Sequence, residues 1–267
     1  MKAGAGRRMG WLLTMLALAL LPAARAQANT DLIGYWPFDD GIGVTTRDQA
    51  GKSDFKLIGN PVWTKNVSGY CLLFDGSDER PVYGANAGPN LYQGLGIFEH
   101  GTISVWTLPF DGGYAQPNPG DTAGQGRARI ASIDNIHVGL YDGCWCGLAY
   151  DFQRVEYIRG PAMVKDQWVY LVMTWDKIFA RFYVNGREAV RSEGPYLRSD
   201  LGGRDISMWE SMYVSYPYHR QMYKGYVDDW KLYKRVLTPA EIAAEYEREK
   251  DKRAITAPNA KDKTKVP

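Results

Sequence analysis

Asp228 is the residue whose place in the sequence most needs a chemical explanation. In the run Gly225–Tyr233 a two-residue alternation sets Asp228 on the same face as Tyr226, Trp230 and Leu232, the more apolar of the two. An isolated ionised carboxylate is costly there, so it must be neutralised, held by several backbone donors, or bound to a cation. Hydrolysis with retention needs two carboxyls about 5 Å apart. Asp228 and Asp229, as neighbours in a strand, are expected to point to opposite faces. Asp151 and Glu156 flank a strand without a shared register, and His100, His137 and His219 stand apart with no serine or cysteine elbow beside them. Enzymatic chemistry is therefore not expected. Binding chemistry has a better source in Met208–Tyr223, which holds Trp209, Tyr213, Tyr216, Tyr218 and Tyr223 with Glu210, His219 and Arg220 among them. A sugar offers apolar C–H faces and a polar rim. Trp209, Tyr216 and Tyr218 are the candidate platforms, with Glu210 and Arg220 as orienting groups. The same residue types serve protein interfaces, and Trp and Tyr at period two also fill sandwich cores.

The elements that must position these groups are strands. Trp168, Tyr170 and Val172 alternate with Val169, Leu171, Met173 and Trp175, and both sets are apolar, which predicts a central strand covered on each side. Ala180–Val190 contains Asn185-Gly186 between apolar runs, the signal for a two-residue hairpin whose turn residues both need positive φ. Thr102–Leu108, Ile130–Ile133, Gly147–Phe152 and Gly225–Tyr233 read as further strands, and Pro109–Arg127 as a long surface loop. Short strands with Gly- and Pro-rich turns between them predict a β-sandwich. Thr238-Pro239-Ala240-Glu241 predicts one helix near the end: a capping threonine, a proline at the first helical position and a glutamate able to bond back to the cap.

Lys2, Arg7 and Arg8 precede the apolar run Trp11–Leu21, which meets Ala24-Arg25-Ala26, the order of a secretory signal peptide cleaved after Ala26. The run is too short for roughly 30 Å of hydrocarbon, and no later stretch offers about 20 consecutive apolar residues, so a secreted or periplasmic protein without a membrane span is expected. Residues 27–247 then form one domain and 248–267 a disordered basic tail. The domain carries 21 basic and 27 acidic residues, a net charge of −6. That argues against a nucleic-acid partner, since phosphate binding needs a basic surface. Cys71, Cys144 and Cys146 allow at most one bridge, Cys71 with one of the other two; the alternative is three free buried thiols.

Six motifs run in order along Asp31–Tyr246: Tyr35–Gly41 (YWPFDDG), Leu72–Glu79 (LLFDGSDE), Ile103–Trp106 (ISVW), Gln167–Asp176 (QWVYLVMTWD), Phe182–Gly186 (FYVNG) and Gly225–Tyr246 (GYVDDWKLYKRVLTPAEIAAEY). Together they resemble a laminin G-like domain of the concanavalin A-like lectin/glucanase superfamily. The resemblance implies an all-β, two-sheet antiparallel jelly roll, found in secreted or surface proteins, with glycans or proteins as ligands and often a structural calcium ion. For calcium (Ca2+) it points to Asp228 together with Asp75 and Asp78 of the Phe-Asp-Gly turn and Asp39 of the opening strand. Two departures stand out. Glu79-Arg80-Pro81-Val82 follows that turn where members commonly carry Asp-Tyr-Val, and the Glu-x-Asp-x-x-Glu strand of the related glucanases is absent. The expectation is a secreted carbohydrate-binding module. An extracellular protein-interaction or structural domain and a divergent glycan hydrolase or lyase are the alternatives.

Overall fold

The computed structural model describes residues 31–50, 54–58, 61–75, 80–83, 100–114, 127–133, 136–151, 154–176, 178–193 and 223–253. The expected leader lies outside them, as does the aromatic segment up to residue 222. Among the described residues the strands form three antiparallel sheets. The largest holds eight: β1 (Leu32–Trp36), β4 (Val62–Lys65), β5 (Tyr70–Asp75), β7 (Gly101–Tyr114), β12 (Val169–Trp175), β13 (Phe179–Val184), β14 (Arg187–Glu193) and β15 (Tyr223–Tyr233). Their order is β14-β13-β12-β7-β15-β5-β4, with β1 also pairing β15. A four-stranded sheet runs β11-β10-β9-β8, built of β8 (Arg127–Ile133), β9 (Ile136–Tyr141), β10 (Cys144–Asp151) and β11 (Arg154–Ala162). The smallest joins β2 (Thr45–Thr46), β3 (Phe55–Ile58) and β6 (Arg80–Tyr83). The concanavalin A-like jelly-roll class is as expected. What was read as one opposing sheet is divided in two.

The core lies where these sheets face one another. Every residue of β12 is buried. Leu171, Met173 and Trp175 join the main core with Trp36, Phe55, Val138, Leu140, Trp145 and Trp230, whereas Tyr170 and Val172 pack on the other side with Trp106 and Ile242. The double alternation thus corresponds to a strand covered on both faces. Trp36 stacks on Phe55 at 4.2 Å between ring centroids, and Trp230 lies 4.8 Å from Trp36. Asn185 and Gly186 turn β13 into β14 with φ of 51° and 77°, the mirror-image turn that suits strand twist. The expected loop at Pro109 begins later, because β7 continues to Tyr114. Proline is tolerated there beside a register shift in the ladder to β15, between Tyr223 and Gly225.

One strand departs from simple alternation. Along β15, Asp228 pairs with Trp106 and Lys231 with Ser104, so three steps on β15 match two on β7. This is a β-bulge, and Asp229 sits in it at φ 46°. The bulge falls where the other edge of β15 passes from β5, which pairs with 224–227, to β1, which pairs with 230–233. The extra residue reverses the phase. Val227, Trp230 and Leu232 face the main core, while Tyr226 packs with Cys71 and Leu73 on the outer side. The expectation that Asp228 shares a face with Trp230 and Leu232 is therefore corrected: it shares one with Tyr226 alone.

Helix α1 (Pro239–Glu249) covers that outer side. Thr238 and Glu241 form the reciprocal capping box, with Pro239 opening the helix. The Arg235 guanidinium and the cap hold the Glu241 carboxyl down at about 2. Ile242 and Tyr246 meet Trp106 and Tyr183. The domain does not end at Glu247. The helix runs to Glu249 and a 3-10 turn follows over Lys250–Arg253. Arg253, expected in a disordered tail, is 2 % exposed, because its guanidinium has carboxylates to satisfy.

Candidate functional site

The expected ligand residues Trp209, Glu210, Tyr216, Tyr218 and Arg220 lie outside the described residues, as does Asp78 of the expected calcium set. Tyr223, at the end of that segment, is fully buried, and its hydroxyl meets the Thr107 hydroxyl at 2.5 Å. It is a core residue.

Asp228 is compensated by the chain itself. Its Oδ2 accepts from Arg253 Nε at 3.1 Å and from Asn66 Nδ2 at 3.2 Å, and its Oδ1 accepts from the Asp229 amide at 3.0 Å. The bulge brings Asp229 to the same guanidinium, which it contacts through Oδ2, while its Oδ1 accepts the Tyr35 hydroxyl at 2.5 Å. Two adjacent carboxylates expected on opposite faces thus flank one arginine, whose guanidinium carbon lies 4.3 Å above the Trp106 ring. Burial pushes the Asp228 carboxyl up to about 7, outweighing the pull of Arg253, with Asp39 adding to the rise. Burial likewise pulls Arg253 below the usual arginine range, although Asp228 opposes this.

These residues do not fit a calcium ion at Asp228. Calcium takes about six to eight oxygen ligands, yet both Asp228 oxygens already serve donors, one of them a cation. Asp39 Oδ1 accepts from the Tyr70 amide at 2.8 Å, and Asp75 ends β5 opposite Lys224. Among the described residues no group of three or more His, Cys, Asp or Glu side chains is placed to hold a metal ion. The cluster is also closed to ligands, since Asp228 is 3 % exposed. Its role is to clasp the C-terminal turn onto the sheet. Nothing in the periodicity of 248–253 signals this, and Arg253 is legible only once the bulge is known.

Exposed charged groups and a half-buried aromatic ring meet elsewhere, at the hairpin between β9 and β10. Asp142 and Gly143 make its turn with φ of 47° and 72°. Arg159 of β11 lies with its guanidinium carbon 4.9 Å from the Tyr141 ring centroid, and its Nη2 stands 3.0 Å from Asp142 Oδ2. The two charged side chains are 47 % and 55 % exposed. An ion pair this open contributes about 0–1 kcal/mol to stability, so stability alone does not account for it. It presents a planar donor fork laid on an aromatic ring with an acceptor beside it, chemistry that suits a sugar hydroxyl or a carboxylate. Half-buried Cys144 and exposed Val164 adjoin this turn, the latter through the Met163 amide on the Gly143 carbonyl at 2.8 Å. Cys71, Cys144 and Cys146 form no disulfide. Asp142-Gly143 was readable as a turn signal. Arg159, 17 residues away, was not.

Comparison with known proteins agrees with this architecture. A laminin G family model, described as the concanavalin A-like lectin/glucanases superfamily, matches residues 92–243. No curated protein matches the chain. Among solved structures, the binding domain of Paraclostridial Mosquitocidal Protein 1 superposes with a TM-score of 0.60 at 13% identity, over 83% of this chain and 53% of that one. The binding domain of botulinum neurotoxin DC, solved in complex with rat synaptotagmin II, gives 0.58 at 13% identity, over 83% and 52%. Trypanosoma rangeli sialidase gives 0.58 at 14%, over 84% and 34%. The chain thus spans about half the length of the toxin domains, and at these identities the likeness is one of fold.

Proposed function

The chain belongs to the laminin G-like members of the concanavalin A-like lectin/glucanase superfamily, and on that premise we propose that it is a secreted carbohydrate-binding module rather than an enzyme. The observation that carries the reading is the half-buried Tyr141 ring flanked by exposed Arg159 and Asp142 at the β9–β10 hairpin. The adjacent carboxylates Asp228 and Asp229 are locked to Arg253 and buried, and Asp39 and Asp40 are engaged by the Tyr70 amide and by Arg47, which supports binding over hydrolysis. The signal-like N-terminus supports export. The Met208–Tyr223 segment offers a second platform through Trp209 and Tyr216. A glycan array probed with the mature protein, its Tyr141→Ala variant and its Trp209→Ala variant tests this. Hits lost in the first variant are expected. An array without hits would remove the reading, and hits lost only in the second would move the site.

A protein ligand is the second reading. It is favoured by Ile42 and Val67, which are 81% and 63% exposed on neighbouring loops joined by the Asp39–Tyr70 hydrogen bond. The toxin domain solved with synaptotagmin II gives a precedent for protein recognition on this fold. Pull-down from extracytoplasmic material with wild type and an Ile42→Asp/Val67→Asp variant separates the two. A protein captured by wild type alone would favour this second reading.

A further inference from the structure

Two neighbouring loops expose aliphatic side chains while turning polar groups inward. The segment after β1 opens at Phe38, fully buried at φ 57°, a conformation that a bulky residue keeps only where its surroundings over-determine it. The segment then lies along the β4–β5 hairpin. Asp39 Oδ1 accepts the Tyr70 amide at 2.8 Å, a Cβ on Gly41 would come within 2.6 Å of the Tyr70 ring, and the Gly43 carbonyl accepts Trp63 Nε1 at 2.9 Å. Ile42, between the last two contacts, is left exposed, and exposed Val44 follows it. Asp40 is committed to the same loop, accepting the Arg47 amide at 3.0 Å. Asn66 ties the turn of the hairpin: its Oδ1 accepts from the Ser68 amide at 2.9 Å, the Ser68 hydroxyl at 3.2 Å and the Gly69 amide at 2.7 Å. Val67 stands exposed in that turn.

We infer that these loop tips dock the protein on a lipid bilayer, with Ile42, Val44 and Val67 entering the boundary between headgroups and acyl chains. This goes beyond the carbohydrate reading and does not depend on it. A fluid apolar phase accepts convex side chains without a matching pocket, but it tolerates only polar groups that are already satisfied. Asp39, Asp40 and the Asn66 side chain serve their own loops and the hairpin beneath, so immersion of the tips leaves these bonds intact. A protein interface draws on a different set, with aromatics and arginine at its centre and about one hydrogen bond per 100–200 Å². The loops are fixed before contact, so docking costs little ordering. Exposed Lys65 precedes the Val67 turn, and Arg47, its side chain 80% exposed, stands beside Asp40; both have stems long enough to reach headgroup phosphates. Asp39 and Asp40 offset that charge, which leaves apolar burial as the main contribution. Contact is peripheral, since among the described residues no helix is long and apolar enough to cross a membrane. Three aliphatic side chains give weak attachment, at lipid concentrations on the order of millimolar.

Vesicle flotation tests this with the mature protein, its Ile42→Asp, Val67→Asp and Ile42→Asp/Val67→Asp variants, and Ile178→Asp, which alters an aliphatic side chain of similar exposure, 61%, on the β12–β13 hairpin. The vesicles are phosphatidylcholine alone and phosphatidylcholine mixed with phosphatidylglycerol. Wild type is expected to float with both, and each single tip variant to lose about tenfold in partitioning. The double variant should remain in solution, and Ile178→Asp should match wild type. Every altered side chain is exposed, so unchanged melting curves separate lost docking from lost folding. Glycan-array hits are expected to survive in the double variant, so the carbohydrate reading stands or falls separately. Wild type that stays in solution with both vesicles, or floats no better than the double variant, would overturn the proposal; a protein captured through the tips in that case would assign them to the protein reading. An equal loss in Ile178→Asp would reduce flotation to general stickiness and overturn it as well.

Discussion

Replacing Arg253 with methionine keeps an apolar stem against Trp106 and removes the charge shared by Asp228 and Asp229. Breaking a buried ion pair from one side costs about 3–5 kcal/mol, because the remaining charge stays buried without a partner. For a domain of this size each kcal/mol moves the melting temperature by about 2–4 °C, so a fall of roughly 10 °C at pH 8 follows. The sign of the pH dependence is fixed by Asp228. Its carboxyl titrates near 7 when folded, above the ordinary carboxylate value. Its contribution to stability is therefore full below about pH 4 and is lost as pH rises through 7. Without Arg253 the buried charge is costlier still, so at pH 8 the variant loses most. At pH 5, where Asp228 holds its proton, the loss shrinks to about half, set by Asp229 alone. Urea unfolding of wild type, Arg253→Met and Arg253→Met/Asp228→Asn at both pH values measures this. A loss under about 1 kcal/mol at pH 8, or one equal at both pH values, would refute the clasp.

Chelation with EDTA is expected to leave the melting temperature unchanged, since a guanidinium rather than an ion satisfies Asp228; a drop of several degrees would show a calcium ion that stabilises the fold by mass action. Gly186→Ala should cost roughly 2–4 kcal/mol, because residue 186 has φ 77° and an added Cβ would lie 2.9 Å from that of Tyr246 on α1; a melting temperature within a degree of wild type would contradict the packing of α1 on that turn. Of the three thiols, half-buried Cys144 alone should react quickly with a thiol reagent in the native state, with Cys71 and Cys146 following on unfolding; fast modification of Cys71, whose thiol burial pushes well up, would contradict its enclosure.

Much of the fold was legible because its signals are local. The alternation of Val169–Trp175, the Asn185-Gly186 turn and the Thr238–Glu241 capping box each report a backbone geometry through residues a few positions apart. The phase of β15 was not. A bulge depends on how two other strands share its edge, and Asp228-Asp229 reads the same with or without one. Once the phase reversed, Asp228 left the Trp230 face and Asp229 turned toward Arg253, so that an arginine from beyond the expected domain end meets both carboxylates. The Tyr141–Arg159 group was hidden for a similar reason. Its members come from different strands, and their meeting depends on register across β10 rather than on spacing.

Carbohydrate recognition at the Tyr141–Asp142–Arg159 turn is read most directly by hydrogen exchange of the mature protein, measured by mass spectrometry with and without a saturating glycan taken from the array hits. Slower exchange is expected in the Asp142-Gly143 turn and in the adjoining ends of β9, β10 and β11, with α1 and the 3-10 turn unchanged. Protection confined to residues 208–222 or 239–253, or none at all, would contradict the assignment.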